Sequence, residues 1–246
     1  MEALLLHRTV RKYLPKPIPD NILNDILECG IRSSNTGNMQ LYSVLVTRNP
    51  EKKALLAPLH FNQSMVLEAP VVLTICLDIN RFSKWCKMNL TETDFLNLLW
   101  LLNGTIDSSI LAQNICIAAE YIGLGICYLG TTLYNTSEIA NILKLPVGVI
   151  PITCLTIGYP EIIPELTDRL PLNAIIHQEE YGNYTDETIA EIYQNKENLA
   201  ASKTFISENN KDNLAQVYAE IRYKSADNIY FSEKLKKMLL DQGFKI

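Results

Sequence analysis

The segment TIDSSILAQNICIAAEYIGLG, residues 105–125, indicates how this chain folds. Its apolar residues lie on nearly every face of a predicted helix, and helices of that kind are usually buried at the centre of a protein. We expect the helix to end at Gly123 and Gly125, because glycine readily adopts the backbone conformation that terminates a helix. A buried helix of this length requires other apolar elements to cover it.

Two other segments predict strands that are covered on both faces. VVLTICLD, residues 71–78, and VIPITCLTIGYP, residues 149–160, are nearly continuous apolar runs, which are typical of such strands. YSVLVTR, residues 42–48, is rich in residues that favour strands. Helices are predicted over residues 19–34, 50–60 and 136–145, the last with a Thr or Ser cap. This alternation indicates a domain of the α/β (α+β) class.

The last quarter of the chain, from Tyr181 onward, is polar and charged. Residues 185–210 predict one exposed amphipathic helix, and residues 231–242 predict a final helix that ends at Gly243. Between them, NLAQVYAEIRY, residues 213–223, fits either a strand or a helix. The sequence therefore predicts a domain over residues 1–181 and a C-terminal extension over residues 182–246.

The composition argues against several classes of function. The 246 residues are 48% hydrophobic and 20% charged, which suits one or two globular domains. The net charge of −5 disfavours nucleic-acid binding, which usually requires a basic excess. No apolar run reaches the roughly 18 residues of a transmembrane helix. The short run LLL, residues 4–6, precedes the nearby cations, which is the reverse of a secretory signal.

The cysteines and histidines indicate a reducing compartment without a metal site. The six cysteines are scattered, form no CxxC motif, and mostly lie in apolar segments, where cysteine behaves as a small hydrophobic residue. We therefore expect a cytoplasmic protein. The three histidines lie far apart, so we predict no metal centre.

Common nucleotide and hydrolase motifs are missing from the sequence. GLGICYLG, residues 123–130, does not have the GxGxxG spacing and follows a predicted helix instead of a strand. Neither a P-loop nor a GxSxG motif occurs, so the sequence offers no phosphate loop or serine nucleophile of those types.

Two polar stretches are candidate binding elements. HRTVRKY, residues 7–13, places Arg8 and Arg11 around Thr9, and guanidinium and hydroxyl groups suit a phosphate. SSNTGNMQ, residues 33–40, is rich in small hydrogen-bonding side chains. Considered alone, the first stretch is more often a solvated basic turn and the second an ordinary helix-to-strand loop.

The order of these segments resembles the FMN-dependent nitroreductase family. That family has an arginine-rich element, a helix that follows Pro-Ile, a loop of small residues and a strand, as in HRTVRKY followed by residues 17–46. Matching segments follow in the family's order over about Leu4 to Tyr181: FNQSMVLEAPVVLTICLD (61–78), IDSSILAQNICIAAEYIGLGICYLG (106–130), LPVGVIPITCLTIGYP (145–160) and DRLPLNAIIHQEEY (168–181).

The resemblance implies an architecture and a cofactor. Members of the family have a central, mostly antiparallel sheet flanked by helices, form intertwined homodimers, and bind FMN at the dimer interface. The C-terminal extension would then wrap the partner subunit. NADH or NADPH would pass hydride to flavin N5, and a nitroaromatic, quinone or similar acceptor would be reduced by a ping-pong mechanism. The flavin carries this chemistry, so no catalytic nucleophile or base is expected in the protein.

The resemblance also assigns residues to the cofactor. The basic stretch and a distant arginine would hold the phosphate, ribityl chain and pyrimidine edge, with Arg11 also tuning the flavin. An asparagine would contact the ribityl chain and flavin, loop residues would come from the other subunit, and a turn would lie against the flavin ring. In that order, these residues are His7, Arg8, Thr9, Arg11 and Arg169; Asn62; Asn35, Thr36 and Asn38; and Tyr128, Leu129, Gly130 and Thr131.

Departures from the family pattern leave alternatives open. His7 replaces an arginine of many relatives, so it either weakens the phosphate contact or merely packs. Met65 stands where some relatives have a lysine, which leaves more of the charge to Arg11. The same fold also serves other FMN reactions, such as dehalogenation and azoline oxidation. A flavin-free α/β scaffold that binds a partner through its C-terminal segment is the remaining alternative.

Overall fold

The chain forms two compact units. The computed structural model describes residues 2–246, with side chains from residue 4 onward. The first unit contains the residues up to Glu165 together with Phe231–Ile246, and the second is Leu166–Tyr230. The predicted division into a domain over residues 1–181 and a C-terminal extension over residues 182–246 stays a prediction.

Helices make up most of the regular structure. In chain order they are α1 (Glu2–Leu5), α2 (Asp20–Ile31), α3 (Pro50–Leu56), α4 (Met65–Glu68), α5 (Asn80–Met88), α6 (Leu98–Tyr121), α7 (Thr136–Leu143), α8 (Asp186–Asn198), α9 (Ala200–Glu208), α10 (Leu214–Gln216) and α11 (Ser225–Asp241). Short 3₁₀ helices lie at Thr36–Asn38, Ala57–His60, Gly130–Tyr134 and Leu172–Ala174.

An antiparallel sheet forms the centre of the first unit. Its strands are β1 (Tyr42–Thr47), β2 (Val71–Asp78), β3 (Gly125–Leu129) and β4 (Val149–Gly158), in the order β1-β2-β4-β3. All neighbouring strands are antiparallel. Every residue of β2 is buried, as its continuous apolar sequence predicts. The predicted α+β fold with a central antiparallel sheet flanked by helices is confirmed.

Helix α6 is the long buried helix that the sequence predicts, but it starts earlier, at Leu98. The side chain of Asn97 accepts a hydrogen bond from the Trp100 amide and so caps the new start. Buried residues of its second half, including Leu111 and Ile115, pack with β2, β4 and α2 in one apolar cluster. The leucines of its first turns are exposed and do not belong to that cluster. The segment quoted from the sequence, which starts at residue 105, therefore includes the buried half of the helix and not its exposed start.

Three local predictions are wrong. The Thr or Ser cap of α7 is absent: Asn135 occupies that position without a side-chain bond, and Thr136 bonds back to the Thr132 and Leu133 carbonyls. Helix α6 ends before Gly123, which has a φ of 81°, as predicted, but Gly125 does not help to end the helix and instead begins strand β3, which was not predicted. The single helix predicted over residues 185–210 breaks at Leu199, whose backbone is extended.

The end of the chain contributes to two different units. In the second unit, the ambiguous NLAQVYAEIRY segment is helical and includes a π-helix at Val217–Arg222, so the strand alternative is wrong. In the first unit, Met238, Leu239 and Phe244 are buried in an apolar cluster with residues of the sheet. The last residues are therefore part of the first unit's core. The final helix ends before Gly243, which has a φ of 83°, as predicted.

The N-terminal segment lies directly against β3. The Val10 amide donates to the Ile126 carbonyl at 3.0 Å, and Thr9 forms a parallel bridge with the same residue. A Cβ atom added to Gly125 would lie 2.6 Å from the Val10 side chain. Glycine at this position therefore allows the close approach of the two backbones.

The Gly125→Ala substitution should displace the N-terminal segment and destabilise the protein. Overpacking of this kind typically lowers the free energy of unfolding by about 1–3 kcal/mol, measurable by urea denaturation. Gly130→Ala is the matched control, since a Cβ added there meets no atom within 4 Å. Equal losses in the two variants would contradict the steric explanation.

Candidate functional site

The sheet fixes the basic N-terminal segment in place. Beyond the bonds of Thr9 and Val10 to Ile126, the buried Tyr13 hydroxyl lies 2.8 Å from the Val10 carbonyl and 2.7 Å from Thr156 Oγ1. These bonds anchor both sides of Arg11. The HRTVRKY stretch is therefore an ordered element at the edge of the sheet, which counts against the alternative of a solvated turn.

Arg8 has an unused hydrogen-bond donor. Its Nη1 donates to the Leu6 carbonyl at 3.1 Å, but its Nε is buried and has no partner among residues 4–246. A buried guanidinium N–H without a partner is unusual, because nearly all such groups are satisfied. Arg8 lines a cavity of ≈ 410 Å³ that also includes Glu120 and Pro160. A bound anion such as a phosphate would satisfy this donor, so the residue fits the predicted role.

His7 is partly exposed and contacts an acidic side chain of α6. Its Nδ1 lies 2.7 Å from Glu120 Oε1 and 4.0 Å from the Cys116 sulfur. Folding thus brings together three groups that could hold a metal ion, which the spacing of the sequence did not reveal. Burial raises the pKa of the Cys116 thiol to about 12, so this thiol is protonated at neutral pH. The predicted contact of His7 with phosphate stays a prediction.

Arg11 is exposed and lies beside the Cys127 thiol of β3. Burial raises the pKa of that thiol, and the guanidinium opposes part of the increase. Cys127 directly precedes Tyr128, so Arg11 is close to the residues that the family resemblance assigns to the flavin ring. Its proposed effect on the flavin stays a prediction.

The end of β3 provides an open surface. The half-buried Tyr128 donates its hydroxyl to Gln113 Oε1 at 3.2 Å, whereas Leu129 is buried in the core. Gly130 is exposed, and an added Cβ would meet nothing within 4 Å. A planar ring can therefore approach the backbone of this turn without meeting a side chain at residue 130.

A histidine that sequence analysis missed supports the same turn. His60 ends the 3₁₀ helix Ala57–His60 and is fully buried. Its Nδ1 lies 2.8 Å from Thr131 Oγ1. Two residues further, Asn62 adopts a left-handed φ of 54° and keeps its side chain exposed, a conformation that asparagine tolerates well. The structure thus connects the predicted Asn62 and Thr131 positions through His60, whose place in an apolar helix gave no signal.

Acid should destabilise the protein through His60. Burial lowers the pKa of His60 from 6.5 to about 4, so the unfolded chain takes up a proton that the folded protein excludes. Stability is therefore retained above the unfolded pKa and lost as the pH falls from about 6.5 towards about 4. Between about pH 7 and pH 5 we expect a loss of about 2 kcal/mol in the free energy of unfolding.

Urea denaturation at the two pH values measures this loss. Carboxylates also contribute to acid sensitivity, so His60→Leu is the control, and the difference between wild type and variant isolates the histidine. An identical pH dependence of the two proteins would contradict the expectation.

A buried aspartate holds the SSNTGN loop. Asp107 of α6 is 2% exposed and accepts bonds from the Thr36 amide at 3.0 and 3.1 Å and from the Thr36 hydroxyl at 3.0 Å. The Asn35 side chain accepts from the Gln40 amide at 3.2 Å. Asn38 has a left-handed φ of 54°. Sequence analysis missed Asp107, although a lone acid in an apolar helix was a usable signal.

The structure gathers part of the predicted site. The N-terminal residues contact β3, and Asn62 lies two residues after His60, which contacts Thr131 of the turn. The loop at residues 35–38 is tied instead to α6. Arg169 lies in the second unit, is exposed, and bonds to the Thr167 and Asp168 carbonyls. The shared contact of Arg169 and the loop with FMN therefore stays a prediction.

The fold and this site define an α+β protein whose sheet edge presents arginines beside an open backbone turn. Residues 5–76 match the family model described as Nitroreductase family. NADPH-flavin oxidoreductase of Vibrio harveyi is 31% identical over 204 residues, which cover 83% of each chain. This chain belongs to the nitroreductase family.

Two further relatives match along the whole length. FMN reductase (NAD(P)H) of Bacillus subtilis (strain 168) is 28% identical over 100% of this chain and 98% of its own. A solved structure from Bacteroides fragilis NCTC 9343, of a protein named an oxidoreductase without a stated substrate, has 50% identity, a TM-score of 0.98 and coverage of 100% of both chains. None of the helices in the described part of the chain is both long and apolar enough to span a membrane.

Proposed function

We propose that this protein is an FMN-dependent oxidoreductase that takes hydride from NADH or NADPH and reduces nitroaromatic, quinone or similar acceptors. The Vibrio and Bacillus relatives carry names that combine flavin or FMN with NADPH or NAD(P)H. The observation that carries the proposal for this chain is the buried Nε of Arg8, which has no partner in the described part of the chain, because an anionic cofactor would satisfy it.

The residues divide into those that bind and those that orient. Arg8, Thr9 and Arg169 hold the phosphate, and Asn62 contacts the ribityl chain. The open turn at Gly130 lies against the ring, and Arg11 stabilises negative charge that develops on it. When bound, FMN supplies the hydride-accepting ring, so the protein needs no nucleophile or general base.

One surface serves both substrates in turn. With one face of the flavin against the turn at Gly130, the nicotinamide and the acceptor would bind alternately on its other, exposed face, and that order gives ping-pong kinetics. Acceptors that are flat and electron-poor suit such a face. Steady-state kinetics with NADH, NADPH and a panel of acceptors would identify the preferred pair.

The assembly is a homodimer in this proposal, with Asn35, Thr36 and Asn38 reaching the partner's flavin. Exposed apolar residues at the start of α6, Leu98, Leu99 and Leu102, support a covered surface in the assembled protein. The C-terminal extension over residues 182–246 would wrap the partner, apart from Phe231–Ile246, which belong to the first unit. The protein would reside in the cytoplasm. Sedimentation should give twice the 27.8 kDa of one chain, and a monomer would contradict the assembly.

Flavin content is the decisive experiment. The purified protein, or the protein after addition of FMN, should be yellow and show flavin absorbance bands. A colourless protein that takes up no FMN would favour the flavin-free scaffold and defeat the proposal. If FMN binds but neither NADH nor NADPH reduces it, a different reaction of the same fold is favoured.

A further inference from the structure

His60 has one bonded and one unbonded ring nitrogen, both in the interior. Its Nδ1 lies 2.8 Å from Thr131 Oγ1, whereas its Nε2 is buried and has no partner among the described residues. A polar atom that is left without a hydrogen bond in the core destabilises the folded protein. An apolar residue of similar size would avoid that cost, so stability alone does not explain a histidine at this position.

The protonation state of the ring follows from these contacts. Burial favours the neutral imidazole, which carries one N–H and one bare nitrogen. An orphaned buried N–H is rarer than an under-satisfied acceptor, so the proton belongs on Nδ1 and donates to Thr131 Oγ1. A hydroxyl oxygen that accepts this bond must direct its own proton elsewhere. Thr131 therefore presents a donor on the turn that also contains Gly130.

We propose that His60 is a positioning residue that fixes the Thr131 hydroxyl as a hydrogen-bond donor towards the flavin. The inference rests on the proposed FMN site and adds to it the roles of His60 and of the Thr131 hydroxyl. The cost of the unbonded Nε2 is accepted in the free protein because the oriented hydroxyl strengthens cofactor binding. Functional sites commonly hold such locally unfavourable groups.

The test measures FMN affinity by fluorescence titration and stability of the FMN-free protein by thermal unfolding. His60→Leu and Thr131→Val should each weaken FMN binding about three- to tenfold, the usual effect of one hydrogen bond. The double variant should bind no more weakly than either single variant, because both changes remove the same interaction. Unfolding of the FMN-free His60→Leu protein should be unchanged or shifted to higher temperature.

Two conservative variants separate positioning from packing. Asn at residue 60 places an amide donor near the position of Nδ1, so His60→Asn should retain affinity within about twofold. The amide of Gln reaches the position of Nε2 instead, so His60→Gln should lose as much FMN affinity as His60→Leu. If His60→Leu does not fold, the Asn and Gln variants decide in its place, and equal affinities would overturn the inference.

Other outcomes would also overturn the inference alone. These are wild-type affinity in His60→Leu, losses that multiply in the double variant, or a drop in the stability of the FMN-free protein that accompanies the loss of binding. A wild-type protein that takes up no FMN is seen before any variant is compared. That result would overturn the proposed function, and the inference would fail with it.

Discussion

Replacing Arg8 with alanine should weaken FMN binding about 10- to 100-fold and leave riboflavin binding nearly unchanged. Hydrogen bonds to charged groups contribute about 1.5–3 kcal/mol each, and every 1.4 kcal/mol is tenfold in affinity. The Nε of Arg8 is buried and has no partner among the residues that the structure describes, so a phosphate gains a bond without breaking another. Riboflavin lacks the phosphate and therefore gains nothing from Arg8.

Arg11 provides the contrast that makes this test specific. If Arg11 acts on the ring and not on the phosphate alone, Arg11→Ala should weaken both flavins and slow flavin reduction in stopped-flow experiments. Arg8→Lys should recover only part of the FMN affinity, because lysine keeps the charge but loses the planar set of donors. Equal losses of FMN and riboflavin in Arg8→Ala would show that Arg8 supports the fold instead of the phosphate.

Elements with a strong local pattern could be predicted from the sequence. Strand β2 is apolar at six of its eight positions and lies between two other strands, so its apolar sequence correctly predicted a strand that is buried on both faces. The short strand β3 was missed because GICYL begins with a glycine, closely follows Gly123 and has no strong pattern of its own. Its pairing with β4 and with the N-terminal segment determines its structure, and such long-range contacts leave no local signal.

The site shows the same limit. Arg8 and Arg11 stand out because two arginines flank a hydroxyl within four residues. His60 and Asp107 act through partners 71 residues away in each case, so only the folded chain reveals their roles. Residues that touch a ligand could be proposed from a motif, whereas those that hold such residues in place required the structure.

Removal of the Asp107 carboxylate should have the largest effect on stability. Asp107→Ala should lower the free energy of unfolding by about 3 kcal/mol, since it removes bonds to a charged acceptor and leaves the Thr36 amide unsatisfied. The expected value can be measured by urea denaturation. Ser109→Ala on the same helix is the control, because Ser109 is exposed and its hydroxyl donates to the Thr105 carbonyl one turn earlier in the helix.

Intermediate variants show which bond matters. Asp107→Asn keeps the size and one acceptor oxygen, which can still accept from the Thr36 amide and hydroxyl as Oδ1 does here, but it loses the negative charge and the bond from the amide to Oδ2. Thr36→Ala removes the hydroxyl and keeps the amide bond. Both should lose about half as much stability as Asp107→Ala. If Asp107→Asn lost as much as Asp107→Ala, the negative charge itself would be the stabilising feature.

Loss of the Asp107 carboxylate should affect the loop at residues 35–40 more than the core. Because Asp107 connects α6 to a loop with left-handed residues, its loss should increase amide hydrogen exchange at residues 35–40 more than in β2. If the loop also reaches FMN in a partner subunit, affinity should fall in Asp107→Ala and Thr36→Ala but not in Ser109→Ala. If these variants lost stability but kept their FMN affinity, Asp107 would stabilise the fold alone, and the loop would not be part of the proposed FMN site.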